Sequence, residues 1–182
     1  RSIQKPYDHG LSAYQNEFHD RVEHGELFHA DSIKFNDSLK YQTTKGRTVY
    51  GGGGIMPDYF IPLDTSEDSR YYIRLRNNNA LREFSLNYYQ KNQKQLEKMT
   101  FGDYRENFEI DEKMTKDLVA LGEKFGVPYD QEGLEKSEKI IKAIVKASIA
   151  RNVWGRESYY PIINQINEIY LEALKLFDEA EK

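Results

Sequence analysis

The first motif with a possible binding role is a run of four glycines, Gly51, Gly52, Gly53 and Gly54. Glycine-rich turns can bind phosphate groups through their backbone N–H groups. A P-loop needs Lys-Ser or Lys-Thr directly after its last glycine, and neither pair follows here. The spacing of a dinucleotide-binding turn is not met either. We therefore interpret the glycines as a backbone bend or a close approach of strands that leaves no room for a Cβ atom.

Three of the four histidines, His19, His24 and His29, recur every five residues among acidic residues. Metal-binding histidines on one helix usually lie three or four residues apart, so that both nitrogens face one side. A five-residue step rotates the second side chain by about 140° on an ideal helix. We interpret these histidines as surface residues and predict neither a metal site nor a cofactor, although a metal-dependent hydrolase remains a third hypothesis.

No catalytic nucleophile stands out. The chain has no cysteine, which removes thiolate chemistry and disulfides. None of its serines lies in a G-x-S-x-G elbow, and its paired carboxylates have no context that distinguishes them from an ordinary solvated surface. On the residues alone, this chain is not expected to be an enzyme by itself.

Composition narrows the class of partner. The 182 residues include 26 basic and 30 acidic side chains, a net charge of −4 that argues against a nucleic-acid binder. No apolar run approaches the ~20 residues of a membrane span. The 14 Tyr and 9 Phe are too many aromatics for a disordered chain. The chain begins without Met, in what reads as the middle of a strand, so we expect it to be a piece of a longer protein.

Hydrophobic periodicity predicts a regular helical array in the second half of the chain. Met114, Leu118, Leu121 and Phe125 recur at helical spacing behind a plausible N-cap at Asp111. The predicted helices are 79–99, 111–125, 131–153 and 158–181, with a shorter one over 66–75 and an extended connector over 101–110. Short connections favour antiparallel packing of these helices.

The first third of the chain has a different character. It contains β-compatible pieces at 1–7, 39–50 and 59–62 around a polar insertion at 8–44. The predicted fold is therefore α+β, mainly α, with a small glycine-rich β element followed by the helical array. The predicted domains are 1–65 and 66–182.

Two sets of side chains in the array are candidates for partner contact. Aromatic residues are enriched at interface anchors, although filling the core is the more ordinary role for each. The second set is a basic stripe on helix 131–153, which suits either an acidic partner or solvent. The aromatic candidates are Trp154, Tyr159, Tyr160 and Phe177, and the stripe is Lys136, Lys139, Lys142, Lys146 and Arg151.

Residues 1–66 resemble the end of the protease core in C-terminal processing (tail-specific) serine peptidases, in the form found in Bacteroidetes-type bacteria. RSIQKPY matches a segment that follows the catalytic lysine in that family, and GRTVYGGGGIMPDYFIPLDTS matches its later "GGI-PD" run. The matching residues are Arg1, Ser2, Ile3 and Gln4, then Gly53, Gly54, Ile55, Pro57 and Asp58.

The resemblance implies a serine endopeptidase parent whose Ser/Lys dyad and PDZ domain lie upstream, so no catalytic residue is carried over to this chain. Residues 1–65 would end the protease core and 66–182 would be a helical C-terminal extension. It also implies a periplasmic or cell-envelope location. The implied partners are the rest of the parent, protein substrates through that parent, and a second copy or an adaptor protein.

Two further expectations follow. Strands at 1–7 or 47–62 that lack their parent neighbours would present open edges, which predicts self-association there. The alternative to the peptidase interpretation is a free-standing helical module that binds a protein, with an initiator or export signal just before Arg1.

Overall fold

The computed structural model describes residues 10–33, 37–51 and 59–180. It is mainly helical with a small two-stranded antiparallel sheet, which confirms the predicted fold class. The chain divides into two compact units, Arg1–Asp64 and Thr65–Lys182. Each unit is described by itself below.

The first unit contains a helix that periodicity did not indicate. Helix α1 spans Gly10–Glu23 inside the polar insertion. Strands β1 (Lys40–Gln42) and β2 (Thr48–Tyr50) pair antiparallel, with Tyr41 opposite Val49. The tight connection between them uses Gly46 at a φ of 79°, a conformation that glycine adopts without steric cost.

The prediction of a further strand at 59–62 is wrong. These residues belong to no strand, and the next residue, Leu63, donates its N–H to the Leu27 carbonyl at 2.9 Å. Pro62 has no N–H to give a strand ladder, which explains why pairing does not form here. The β prediction for 1–7 lies outside the described residues.

The second unit is a series of helices, most of which begin at a side chain that caps the first turn. Ser69, Thr100, Asp111, Asp130 and Asn167 each accept a hydrogen bond from the backbone N–H three residues later. The helices are α2 (Arg70–Asn77), α3 (Ala80–Leu96), α4 (Phe101–Asn107), α5 (Glu112–Lys124), α6 (Gln131–Lys136), α7 (Glu138–Trp154), α8 (Tyr160–Ile163), α9 (Glu168–Lys175) and α10 (Phe177–Ala180).

The helices predicted at 79–99 and 111–125 are confirmed as α3 and α5, and the shorter helix begins at Arg70 rather than at residue 66. The predicted connector at 101–110 is wrong, because Thr100 caps a helix there. The prediction of one helix over 158–181 is also wrong, since a 3₁₀ turn at Arg156–Ser158 and breaks at 164–167 and Leu176 divide it.

The predicted helix 131–153 is interrupted at Ser137, which is fully buried. Its hydroxyl donates to the Glu67 carbonyl at 2.5 Å and accepts the Ser69 N–H at 2.8 Å. These bonds reach across about 70 positions of the chain, so they tie the start of α2 to the junction between α6 and α7. The break and these long-range bonds thus occur at the same residue.

The core of the second unit lies around α7, which packs mainly against α3. A reciprocal pair of polar contacts also joins α7 to α4: Tyr104 donates its hydroxyl to the Lys146 carbonyl at 3.0 Å, and the Lys146 ammonium donates to the Arg105 carbonyl at 2.7 Å. The largest fully buried side chains include Tyr71, Tyr104, Leu75, Leu118, Ile141 and Ile149.

Tyr71 is a core side chain with an unsatisfied hydroxyl. It is 2% exposed, and its oxygen has no hydrogen-bond partner among the described residues. Burial and, to a smaller extent, the nearby Tyr129, Glu123 and Asp130 together raise the pKa of Tyr71 to about 12. The surroundings of the hydroxyl therefore disfavour its ionised form and offer it no hydrogen bond among the described residues.

Candidate interaction surfaces

The glycine motif predicted from the sequence is only partly described. Gly51 donates its N–H to the Leu39 carbonyl at 2.9 Å and so extends the β1–β2 pairing by one bond. The rest of the motif, Gly52, Gly53, Gly54, Pro57 and Asp58, lies outside the described residues.

The four aromatic candidates lie in three different surroundings. Trp154 is half-buried, with its ring 4.9 Å from the Tyr104 ring. Tyr159 and Tyr160 meet edge to face with ring centroids 5.7 Å apart, and Tyr160 is 50% exposed. Phe177, in α10, is 62% exposed. The structure thus places Trp154 and Tyr159 against the core and leaves Tyr160 and Phe177 at the surface.

Tyr159 and Tyr160 belong to a larger group with two arginines. The Arg76 guanidinium lies over the Tyr72 ring, 5.6 Å from its centroid. Burial raises the pKa of Tyr159, the neighbouring Tyr72 and Tyr160 raise it too, and the Arg151 charge lowers it. Arg76 therefore lies beside Tyr72, Arg151 lies near Tyr159, and the two tyrosines lie near each other. We call Arg76, Arg151, Tyr159 and Tyr160, with the buried Tyr72 beneath Arg76, the arginine–tyrosine surface.

The charges of this surface are uncompensated. Arg76 and Arg151 are exposed, and neither makes an ion pair with any residue that the structure describes. Arg21 and Arg105, by contrast, each contact a glutamate, at 2.6 Å and 3.2 Å. Other exposed arginines of the second unit also make no ion pair among the described residues. Arg76 and Arg151 each lie in the last turn of a helix, where positive charge is favoured by the helix dipole. Their planar groups remain available to bind carboxylates in bidentate geometry.

Sequence reasoning identified Arg151, Tyr159 and Tyr160 but missed Tyr72 and Arg76. The signal that was present is the density of arginine in this part of the chain, with Arg70, Arg74, Arg76 and Arg82 all inside 70–82. Only the fold shows which of them meets the tyrosines that lie about 85 positions later.

Most side chains of the basic stripe predicted on helix 131–153 make polar contacts within the second unit. Lys139 lies 3.6 Å from Glu67, and Lys142 lies 2.6 Å from Glu138. The Lys146 ammonium donates a hydrogen bond to the Arg105 carbonyl. Burial lowers the pKa of Lys146, and the Glu109 charge raises it in part. Among these side chains, Arg151 is the one that joins the arginine–tyrosine surface.

The last two helices form a second exposed feature, which we call the C-terminal segment (168–180). α9 buries none of its residues. The segment carries four acidic side chains and one basic one, a net charge of −3 (Glu168, Glu172, Asp178 and Glu179 against Lys175). Large apolar side chains are exposed along it, namely Ile169 (50%), Tyr170 (41%), Leu171 (38%), Leu174 (46%) and Phe177 (62%). An exposed apolar set of this size is typical of an interaction site.

An open groove of about 390 Å³ lies between α5 and the segment that leads into α7. Val119 and Leu134 contribute apolar surface to it. Its rim alternates in sign, because Glu112 lies 3.9 Å from Lys116 and Glu138 contacts Lys142. With Glu123 also in its lining, the groove has three acidic and two basic side chains, so its charge is weakly negative.

The three histidines that recur every five residues lie in and just after α1. His19 lies in α1, and His24 and His29 flank the turn that follows it. Within 10–33, 37–51 and 59–180, no group of three or more His, Asp or Glu is arranged to hold a metal ion. The helices of that same part of the chain include none with the length and apolar character that crossing a membrane requires.

A family of unknown function (DUF8443) matches residues 71–155, from the start of α2 to the residue after α7. The matched range contains α3, α4, α5, α6, α7 and most of α2. No curated protein and no solved structure matches the chain.

Proposed function

We propose that this chain is the non-catalytic C-terminal region of a C-terminal processing serine peptidase. The order and pairing of RSIQKPY and TVYGGGGIMPD carry the proposal. In this interpretation residues 1–65 complete the protease core, while the Ser/Lys dyad that cleaves the substrate lies upstream. The parent works in the periplasm or the cell envelope.

The helical unit is then an interaction module, which acts through oligomerisation, gating of the substrate or docking of an adaptor. Its surface supports this part of the proposal. Arginine and tyrosine are the side-chain types that recur at binding hot spots, and the arginine–tyrosine surface presents both without an ion-pair partner among the described residues. The C-terminal segment adds exposed apolar side chains.

Reconstitution tests the proposal. The catalytic core encoded upstream of Arg1 is expressed without residues 1–182, and cleavage of a tail-tagged substrate is measured with and without this chain. We expect the full chain to restore cleavage, because it supplies the missing end of the core. The matched control is 65–182 alone, which lacks the RSIQ and GGGG segments and should restore nothing.

The second candidate is a free-standing helical module that binds a protein. The observation in its favour is that the family match lies entirely inside the helical unit. The reading frame upstream of Arg1 separates the two. A serine and a lysine at protease spacing support the peptidase tail, whereas an initiator or an export signal close to Arg1 supports the free-standing module and contradicts the first proposal.

A further inference from the structure

The groove that α5 forms with the segment leading into α7 combines apolar side chains with one carboxylate that no described cation neutralises. We propose that this groove binds a segment of a partner protein that offers a basic side chain, lysine or arginine, between large apolar side chains. The proposal deepens the adaptor-docking role and rests on the proposed function only in treating the helical unit as an interaction module.

The size and lining of the groove suit a short run of side chains. It follows α5 from Glu112 to Glu123, positions that are ~16 Å apart at the rise of an α-helix. Its volume of about 390 Å³ is that of an ordinary ligand pocket. Val119, Ala120 and Leu134 supply apolar surface. A bound segment can therefore remove apolar side chains from water there, which is the main source of binding energy in such contacts.

Four of the five charged side chains that line the groove form two ion pairs. Glu112 lies 3.9 Å from Lys116, and Glu138 lies 2.6 Å from Lys142. The carboxylate of Glu123, the fifth, makes no ion pair and no hydrogen bond with any residue that the structure describes. The charge that remains for a ligand to meet is therefore negative, which favours a cationic side chain over an anionic one.

An exposed aromatic ring accompanies this carboxylate. Tyr129 lines the same groove and is 49% exposed, and its ring meets the buried Tyr71 ring edge to face at 6.3 Å. The chain reverses just after Glu123, where the Val127 N–H donates to the Gly122 carbonyl at 2.9 Å, and the reversal brings Tyr129 back beside the end of α5. A ring face and a carboxylate together suit an ammonium or guanidinium group.

Negative charge also converges at this end of α5. Burial is the main cause that raises the pKa of Tyr71, and the charges of Glu123 and Asp130 raise it as well, so both carboxylates lie within electrostatic reach of one buried hydroxyl. Other exposed carboxylates, such as that of Glu132, are also unpaired among the described residues, but Glu132 does not line the groove. The Glu123 position differs from them in combining a carboxylate with concave apolar surface and an aromatic ring.

A nuclear magnetic resonance titration of the full 182-residue chain tests the proposal. The probes are acetyl-Leu-Lys-Leu-amide and its analogues with Gln or Glu in the centre, so that only the central charge changes, at concentrations up to ~10 mM, the range of weak contacts. The methyl signals of Val119 and Leu134 report on the groove. We expect these signals to shift, with the lowest dissociation constant for the lysine peptide and the highest for the glutamate peptide. Acetyl-Gly-Lys-Gly-amide, which has the charge without the apolar side chains, should bind more weakly than the lysine peptide.

The variant Glu123→Gln identifies the carboxylate that selects the cation. It should raise the dissociation constant of the lysine peptide about 3-fold, the scale of an exposed ion pair, and leave that of the glutamine peptide unchanged. Glu132→Gln is the matched control, because it removes the same charge outside the groove, and it should bind like the wild type. Tyr129→Phe should keep lysine-peptide binding, whereas Tyr129→Leu should weaken it, since leucine has no aromatic face.

Circular dichroism establishes that each variant is folded. The proposal is overturned if no shift occurs at Val119 and Leu134, if the three leucine peptides bind equally, or if Glu123→Gln and Glu132→Gln have the same effect. Self-association of the chain that Glu123→Gln weakens and the lysine peptide reverses would make a second copy the occupant and would also overturn it. The titration needs no peptidase core, so failure of reconstitution leaves these outcomes unaffected and the two proposals fail separately.

Discussion

Replacing Tyr71 by phenylalanine should stabilise the second unit. The hydroxyl of Tyr71 is buried without a hydrogen-bond partner among the described residues, and such a group costs about 1–3 kcal/mol in desolvation. Phenylalanine keeps the ring, including its edge-to-face contact with Tyr129 at 6.3 Å, and removes the oxygen. We expect the free energy of unfolding of Tyr71→Phe at neutral pH to exceed that of the wild type by about 1 kcal/mol.

The advantage should grow at alkaline pH. The pKa of Tyr71 is raised from 10.0 to about 12 in the folded chain, chiefly by burial. A group whose folded pKa is raised contributes stability that is complete below its unfolded pKa and is lost as pH rises through the folded pKa. At about 1.4 kcal/mol per pKa unit, the wild type loses about 3 kcal/mol through Tyr71 between pH 10 and 12. Tyr71→Phe has no proton to lose there.

Urea unfolding followed by far-UV circular dichroism, at several pH values from 7 to 12, measures both effects. Tyr170→Phe is the control, since Tyr170 is 41% exposed and should leave the curve unchanged. The reasoning is refuted if Tyr71→Phe is less stable than the wild type at neutral pH. It is also refuted if the difference between the two proteins stays constant as the pH rises.

Three further predictions concern the same unit. Ser137→Ala should lower the free energy of unfolding by about 1–3 kcal/mol, because it leaves the buried backbone N–H of Ser69 without its acceptor. Ser85→Ala is the control, since Ser85 is equally buried but its hydroxyl only donates to the Leu81 carbonyl in its own helix, and it should lower the free energy of unfolding less. Equal losses would contradict the stabilising role of the Ser137–Ser69 bond. Gly133→Ala should destabilise by about 1–3 kcal/mol in the same assay, since its Cβ would lie 2.7 Å from the Tyr71 Cβ; an unchanged midpoint would contradict the close packing. The fragment 65–182 should unfold cooperatively by calorimetry, and a featureless trace would show that it depends on the first unit.

Local signals predicted the parts of the fold that local interactions determine. Asp111 and the periodic residues after it predicted α5, and the hydrogen bond from the Met114 N–H to Asp111 at 2.7 Å is the cap that the sequence indicated. At Thr100 the same kind of cap was present, with Asp103 three residues later. The alternating residue types after it favoured an extended interpretation, and the capping pattern decided the structure.

Long-range contacts explain the rest. Ser137 bonds to Glu67 and Ser69, which lie about 70 positions earlier, and nothing near Ser137 in the sequence signals these bonds. The arginine–tyrosine surface likewise joins α2 to the residues after α7, so composition predicted Tyr159 and Tyr160 but not their partners Tyr72 and Arg76. Side chains that come from separate helices cannot be grouped before those helices are packed.

The bond between Ser137 and Glu67 has a mechanical consequence. Glu67 is only three residues from the boundary between the two units, so tension on the chain arriving from Asp64 first meets this anchor. Part of this force acts on Ser137, at the junction of α6 and α7, through its bonds to Glu67 and Ser69. A force on the chain at Asp64 would therefore act on the start of α7 as well as on the start of α2, because Ser137 links the two.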